Sequence, residues 1–307
     1  MARLGRPAHI HAPGSSSTIH VVSFSTSTIF RTYSCWQSWV VGMLSQDTQH
    51  RYRLHTFLEP DGRPAHGTGF GTELWMRNVA TKPRRVQSLL HEQREDGSYV
   101  IGEDDLAIFS DADVLPLRAF SALVAVQGDM DFRVMHEPWA PYHRLMSKIN
   151  SGFYTLRNTH RTRALVDTWV ALILEHAQNN SMPMYGDQPL LDRALHMVPE
   201  LRWQPIPWPL VVRPVSRASA GINITRAVTN ETIAFHAATL PDCSKATSMV
   251  CQQRKLQVLA LVAQRFPERK FACLSADELR EGSLGAGDEG LGRRLLHARS
   301  QRPTRLR

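Results

Sequence analysis

The sequence predicts an α/β layered fold, on three observations. Short β-branched or apolar runs alternate with helix-length segments. The first such unit is a strand over Ile19–Phe24, a polar turn Ser25-Thr26-Ser27-Thr28, and a helix over Ile29–Leu44. An apolar strand, Leu106–Phe109, runs into the acidic turn Asp111-Ala112-Asp113. The segment Arg161–Ala177 puts Leu165, Trp169 and Ile173 on one helical face. A sheet built from such units lies between helical layers and binds ligands beyond the carboxyl ends of its strands.

The remaining elements follow in order. Arg51–Leu58 reads as a second strand, the Gly- and Pro-rich stretch 61–72 as a loop, and Arg85–Glu92 as a helix. Phe132–Met135 and Ile149–Leu156 read as strands, the second broken at Gly152. Gln188–Leu195 and Gln253–Phe266 read as helices. Residues 1–17, ending in Pro-Gly-Ser-Ser-Ser, are expected to be a disordered lead-in. Residues 18–274 form one domain, and 275–307 a basic, disordered tail.

With 307 residues and 42% hydrophobic content the chain can bury a sizeable core. Its formal charge of +8 is concentrated at the ends, in Arg3 and Arg6 and in arginines from Arg293 to Arg307. That pattern reads as solvated basic ends and not as a nucleic-acid surface. The rest of the basic excess suits a phosphate-bearing substrate. No run of about 18 apolar residues marks a membrane span, and the first residues lack the apolar core of a secretory signal. Four cysteines, Cys35, Cys243, Cys251 and Cys273, have no zinc-type spacing. Cys243 and Cys251 are candidates for pairing in an oxidising lumen, with free buried thiols the alternative.

The chemistry centres on DLAIFSDADVLPLRAF, from Asp105 to Phe120. A strand here delivers two carboxylates, two residues apart, at its carboxyl end. Neighbouring buried anions repel unless a cation compensates them, and Asp oxygens suit Mg²⁺ or Mn²⁺. A solvated surface turn is the plain alternative, but it needs no apolar flanks such as Val114-Leu115-Pro116-Leu117. Haloacid-dehalogenase-type phosphatases also place D-x-D after a strand, with the first Asp (here Asp111) as nucleophile. Leu115 departs from the Thr or Val of that pattern.

Three further pieces accompany the pair: Asn150-Ser151-Gly152-Phe153-Tyr154, Asp187-Gln188-Pro189 before a helix, and Phe235-His236-Ala237. With D-A-D, in this order, they resemble the nucleotide-diphospho-sugar transferases of glycosyltransferase family 77, and more distantly family 8. The resemblance spans roughly residues 19–264. It implies a GT-A fold, a Rossmann-like mixed sheet with helices on both faces. It also implies a metal-dependent transfer, with retention, from a nucleotide-sugar donor (expected to carry UDP) to a saccharide or protein hydroxyl.

Carried over by residue, Asp111, Asp113 and His236 would hold Mn²⁺ or Mg²⁺, with Asp111 also touching the ribose. Asn150, Ser151 and Gly152 would line the donor sugar, and Asp187 and Gln188 would flank the anomeric carbon. Ser25, Thr26 and Ser27 are placed for the base and ribose. Lys82 and Lys245 are candidate diphosphate contacts, with solvated surface bases as the alternative. Asp187 also suits a plain helix N-cap ahead of Pro189. Trp203 and Trp208 are candidates to stack on acceptor sugars, with ordinary buried tryptophans as the alternative. The Gly and Pro-Trp that follow the family 8 histidine are missing here. The resemblance suggests a Golgi or secretory setting, but the chain shows no anchor. A catalytically silent nucleotide-sugar or glycan binder is a further alternative.

Overall fold

The computed structural model describes residues 8–10, 17–26, 30–59, 73–136, 148–179, 186–212, 216–217, 221–222, 228–237, 248–264 and 266. The strands are β1 (Ala8–Ile10), β2 (Thr18–Thr26), β3 (Arg51–Glu59), β4 (Leu106–Ser110), β5 (Val114–Pro116), β6 (Phe132–His136), β7 (Ile149–Arg157), β8 (Trp203–Pro205), β9 (Val211–Val212), β10 (Ser216–Arg217), β11 (Gly221–Ile222) and β12 (Ala234–His236). The helices are α1 (Phe30–Leu44), α2 (Glu73–His91), α3 (Ser121–Gln127), α4 (His160–Gln178), α5 (Gln188–Met197) and α6 (Ser248–Ala263).

Seven strands form the main sheet in the order β1-β3-β2-β4-β7-β6-β8. β3, β2 and β4 run parallel, and β7 then pairs antiparallel with β4. β4 is therefore where strand direction reverses, and the acidic pair follows its carboxyl end. Alternation along the strands sorts side chains to two cores. Val22, Phe24, Ala107, Phe109, Tyr154 and Leu156 pack on one face with residues of α2, α4 and α5. Ile19, Val21, Leu106, Ile108 and Phe153 pack on the other with α1 and with Leu123 of α3. Helices thus cover both faces, as the α/β prediction requires.

A second sheet, β5-β12-β9, stands beside the first. Its Leu115, Phe235 and Val212 pack on Val258, Leu259 and Val262 of α6. β5 and β12 pair antiparallel with Val114 opposite His236, so this small sheet ties the acidic turn to the histidine. No described helix is long and apolar enough to cross a membrane.

Several sequence expectations are corrected. Ala8–Ile10, inside the expected lead-in, pairs with the outer edge of β3, whose unpaired backbone groups offer a ready partner. β7 runs on through Gly152 as one strand, but its pairing with β6 shifts register there: Val134 pairs with Tyr154 and Met135 with Asn150, so Ser151, Gly152 and Phe153 are skipped. α2 begins twelve residues before Arg85, with Pro83 inside it. Proline removes one helical hydrogen bond, which hid the helix in the sequence, but the other turns carry the helix through. The loop expected at 61–72 and the tail expected from 275 lie outside the described residues.

One buried polar chain runs through the α2 side of the sheet. His20 Nδ1 lies 2.8 Å from His55 Nε2, and His20 Nε2 lies 3.2 Å from Asp105 Oδ2. Asp105 also accepts from the backbone N–H groups of Thr18 and Gly102. Burial lowers the His20 pKa from its ordinary 6.5, against the opposing pull of Asp105. A histidine depressed in the fold binds fewer protons there than in the unfolded chain. Its contribution to stability is therefore present above about pH 6.5 and is lost as pH falls through the depressed value. Thermal unfolding from pH 7.5 to 5 should show this loss in the wild type and a smaller slope in His20→Gln. An identical slope in the variant would contradict the assignment.

Candidate active site

Gly152 is the floor on which the site is assembled. A β-carbon there would collide with the His236 ring and would stand 2.8 Å from Asn150 Oδ1 and 2.9 Å from Asp111 Oδ2. Real β-carbons do not approach other atoms so closely, so the position needs glycine for space. Three separated motifs, D-A-D, N-S-G and F-H-A, therefore meet at one point. Backbone bonds fix the meeting. Asp111 N–H donates to the Gly152 carbonyl (2.8 Å), and Ala237 N–H donates to the Asp113 carbonyl (2.8 Å). Gly152 N–H donates to Asn150 Oδ1 at 2.8 Å, which turns that amide towards its own strand.

Asp111, Asp113 and His236 bring one ligand atom each within 4.8 Å of one another. His236 Nε2 lies 3.2 Å from Asp113 Oδ1, while its buried Nδ1 has no hydrogen-bond partner among the described residues. Two carboxylates and an imidazole suit Mn²⁺ and, less well, Mg²⁺. The donor set, its spacing and the orphaned imidazole nitrogen fit a divalent cation.

Lys82, in α2, is buried at 4% exposure, which removes the surface-base reading. Its ammonium lies 3.2 Å from each Asp111 oxygen and 3.6 Å from Asp187 Oδ2, above the Phe109 ring. Burial alone would lower its pKa, but Asp111 and Asp187 outweigh that and raise it, so it stays charged. Asp187 is buried, and burial, opposed by Lys82, raises its pKa. Asp111 is raised by burial too, with Lys82 opposing. Burial pushes Asp113 the same way, but Lys255 and His236 overcome it and hold that carboxyl well below its usual range.

Asp187 is not a capping side chain. It starts α5 with helical backbone angles and makes no side-chain cap bond. Its backbone carbonyl instead accepts from Trp169 Nε1 at 2.9 Å. Its carboxylate is turned to Lys82, and the Ser151 hydroxyl also bonds to it. The N-cap alternative therefore falls, and the carboxylate is left for the site. Gln188, the next residue, is half-buried at the first position of α5.

Ser25 and Thr26 end β2 and are buried, with the Ser25 hydroxyl donating to the Thr26 carbonyl at 2.9 Å. Ser27 and Lys245 lie outside the described residues. Trp203 is half-buried against the α5-side core, with its ring beside His196. Trp208 is exposed. It precedes β9, which runs parallel to β12 with Val211 opposite Ala234, so it lies at the end away from His236. Cys35 and Cys251 are both disulfide-bonded; Cys243 is outside the described residues.

Two participants went unnominated from sequence. Lys255 of α6 forms an ion pair with Asp113 Oδ2, and nothing in Gln252-Gln253-Arg254-Lys255 marks it. Tyr154 Oη is buried near the cluster and has no hydrogen-bond partner among the described residues. Its phenol is raised well above the ordinary value by burial, then by Asp187 and Asp111.

Lys82→Met would leave the buried Asp187 and the half-buried Asp111 without their shared cation. Loss of one member of a buried charge set costs about 3 kcal/mol. Urea unfolding at pH 7 should show a deficit of that size, and wild-type stability in the variant would refute the role.

A profile of the nucleotide-diphospho-sugar transferase family matches residues 106–238. The match takes in Asp111, Asp113, Asn150, Ser151, Gly152, Asp187, Gln188 and His236, and leaves Lys82 and Lys255 outside. The matched family transfers sugars, which speaks for that reading over the phosphatase one with Asp111 as nucleophile. Curated protein sequences give no match. Among solved structures, the chain is similar to a glycosyltransferase involved in glycosylating the major capsid of PBCV-1. The two share 12% identity, with 78% of this chain and 98% of that one covered at a TM-score of 0.46. It is also similar to the galactosyltransferase LgtC, solved with donor and acceptor sugar analogues (12% identity, 76% and 94% covered, TM-score 0.46). A third is the glycosyltransferase GlyE of Streptococcus pneumoniae TIGR4 (10% identity, 81% and 64% covered, TM-score 0.45). Residues 106–238, which hold the acidic turn, Gly152, Asp187 and His236, match the nucleotide-diphospho-sugar transferase family, and they form the part of the mixed sheet on which the site is built.

Proposed function

We propose that the enzyme moves a sugar from a UDP-sugar to a hydroxyl of a saccharide or protein, retaining the anomeric configuration. The observation that supports this best is the convergence, over Gly152, of Asp111, Asp113 and His236 beside the buried pair Lys82–Asp187. A site that takes a diphosphate needs cations, and one that grips a sugar needs acceptor groups close by. Both are present at the carboxyl end of β4, where strand direction reverses.

Asp111, Asp113 and His236 would hold Mn²⁺ or Mg²⁺, which supplies Lewis-acid stabilisation to the departing nucleoside diphosphate. The remaining roles fall to the chain's own groups. Asp113, kept ionised by Lys255 and His236, is the strongest anion of the cluster. Asp187 accepts from sugar hydroxyls, with Lys82 and Ser151 fixing its direction. Gln188 presents its amide oxygen to the positive anomeric centre, and Asn150, Ser151 and Gly152 line the sugar. Ser25, Thr26 and Ser27 contact the base and ribose, and Lys245 the diphosphate.

With retention, the acceptor enters on the face the diphosphate leaves. The departing phosphate oxygen then takes the acceptor's proton, and no separate general base is required. This suits a site whose carboxylates Asp111 and Asp187 are already tied to Lys82.

The test is thermal unfolding with Mn²⁺, with UDP, and with both. The wild type should be stabilised when both are present by more than the sum of either alone. Asp113→Ala should remove that gain and abolish transfer of a radiolabelled sugar while keeping a folded circular dichroism spectrum. Full, metal-dependent activity in Asp113→Ala would overturn the assignment.

A further inference from the structure

The two lysines at the carboxylates are not equivalent. Lys82 has a side chain only 5% exposed and is held between two acids. The Lys255 side chain is 25% exposed and, among the described residues, pairs with one acid, at Asp113 Oδ2. Its backbone cannot follow it. α6 is pinned by burial of Leu256, Val258, Leu259 and Val262. It is pinned further by the bond from Thr32 Oγ1 to Gln252 Oε1 at 3.0 Å and by the disulfide at Cys251. Lys255 is thus a flexible cation on a fixed helix at the rim of the site.

Charge decides what it can do. Asp111, Asp113 and Asp187 face Lys82 and Lys255, so three carboxylates meet two ammonium groups and leave one negative charge over in the cluster. A divalent cation added without an anion would make it positive, with an ammonium pressed against the metal at the same carboxylate. Like charges at such range repel strongly even in the partly screened surroundings of a site rim. A diphosphate arriving with the metal removes the conflict.

We infer that Lys255 is an exchangeable counter-ion: it neutralises Asp113 between turnovers, yields that oxygen to the incoming divalent cation, and turns to the donor's phosphates. This rests on the metal-dependent reading of the site and adds an order to it. Metal alone binds poorly and metal with nucleoside diphosphate binds well, because Lys255 has a new partner only in the second case. By linkage, the nucleotide gains as much from the metal as the metal from the nucleotide.

The experiment is titration of Mn²⁺ into the full-length protein, followed by the electron paramagnetic resonance of free Mn²⁺, with and without UDP. Lys255→Met should bind Mn²⁺ alone about tenfold more tightly than wild type, and its UDP-induced gain should shrink by about the same factor. Lys255→Arg keeps the charge and should behave as wild type, which separates the charge from any packing change. An unchanged Mn²⁺ constant and an unchanged UDP gain in Lys255→Met would overturn the inference alone. A wild type that binds UDP equally with and without Mn²⁺ would overturn the metal reading, and this inference with it.

Discussion

Three carboxylates gathered at one site, Asp187 buried and Asp111 and Asp113 half-buried, are the constraint on which the rest of this structure depends. Isolated, such a cluster would drive the site open or protonate it. Lys82 resolves the inner half, between Asp111 and Asp187, and Lys255 with His236 resolves the outer half at Asp113. Each partner comes from a different element, so satisfying the charges also fixes the elements. α2 is held to the end of β4 and to the start of α5, while β12 and α6 are held to the β4–β5 turn. The electrostatics of the site and the assembly of the fold around it are one requirement.

The same arrangement explains the position of the site. β4 is parallel to β2 and antiparallel to β7, so the carboxyl end of β4 lies beside the middle of β7 and not beside its end. Ser110 pairs with Phe153, and Gly152 follows directly beneath Asp111. Only a residue without a side chain can stand there while His236 and Asn150 crowd in. The glycine, read from sequence as a break in a strand, is a close-approach position inside a continuous one.

Much of this was legible in the sequence because long elements carry period and burial together. The strands holding Ile19–Phe24 and Leu106–Phe109 and the helix over 161–177 were readable from apolar spacing, and Asp111, Asp113, Gly152 and His236 from their motifs. What was not legible depends on tertiary contact. Lys82 sat next to Pro83, which masked the helix that buries it. Asp187 matched a cap perfectly well by residue type, and only its side-chain direction shows that the carboxylate serves the site. β5 and β12, three residues each, are too short for any period, yet their pairing delivers His236 to Asp113. Lys255 reaches the cluster solely through the packing of α6, which no local pattern records.

The central claim is that this charge cluster holds a divalent cation and a nucleoside diphosphate together. Crystals grown with UDP and Mn²⁺ and measured at the manganese absorption edge test it most directly. The account predicts one anomalous peak within coordinating distance of Asp111, Asp113 and His236, with the diphosphate joined to it. Bound UDP with no peak at those three residues, or a peak elsewhere, would contradict it.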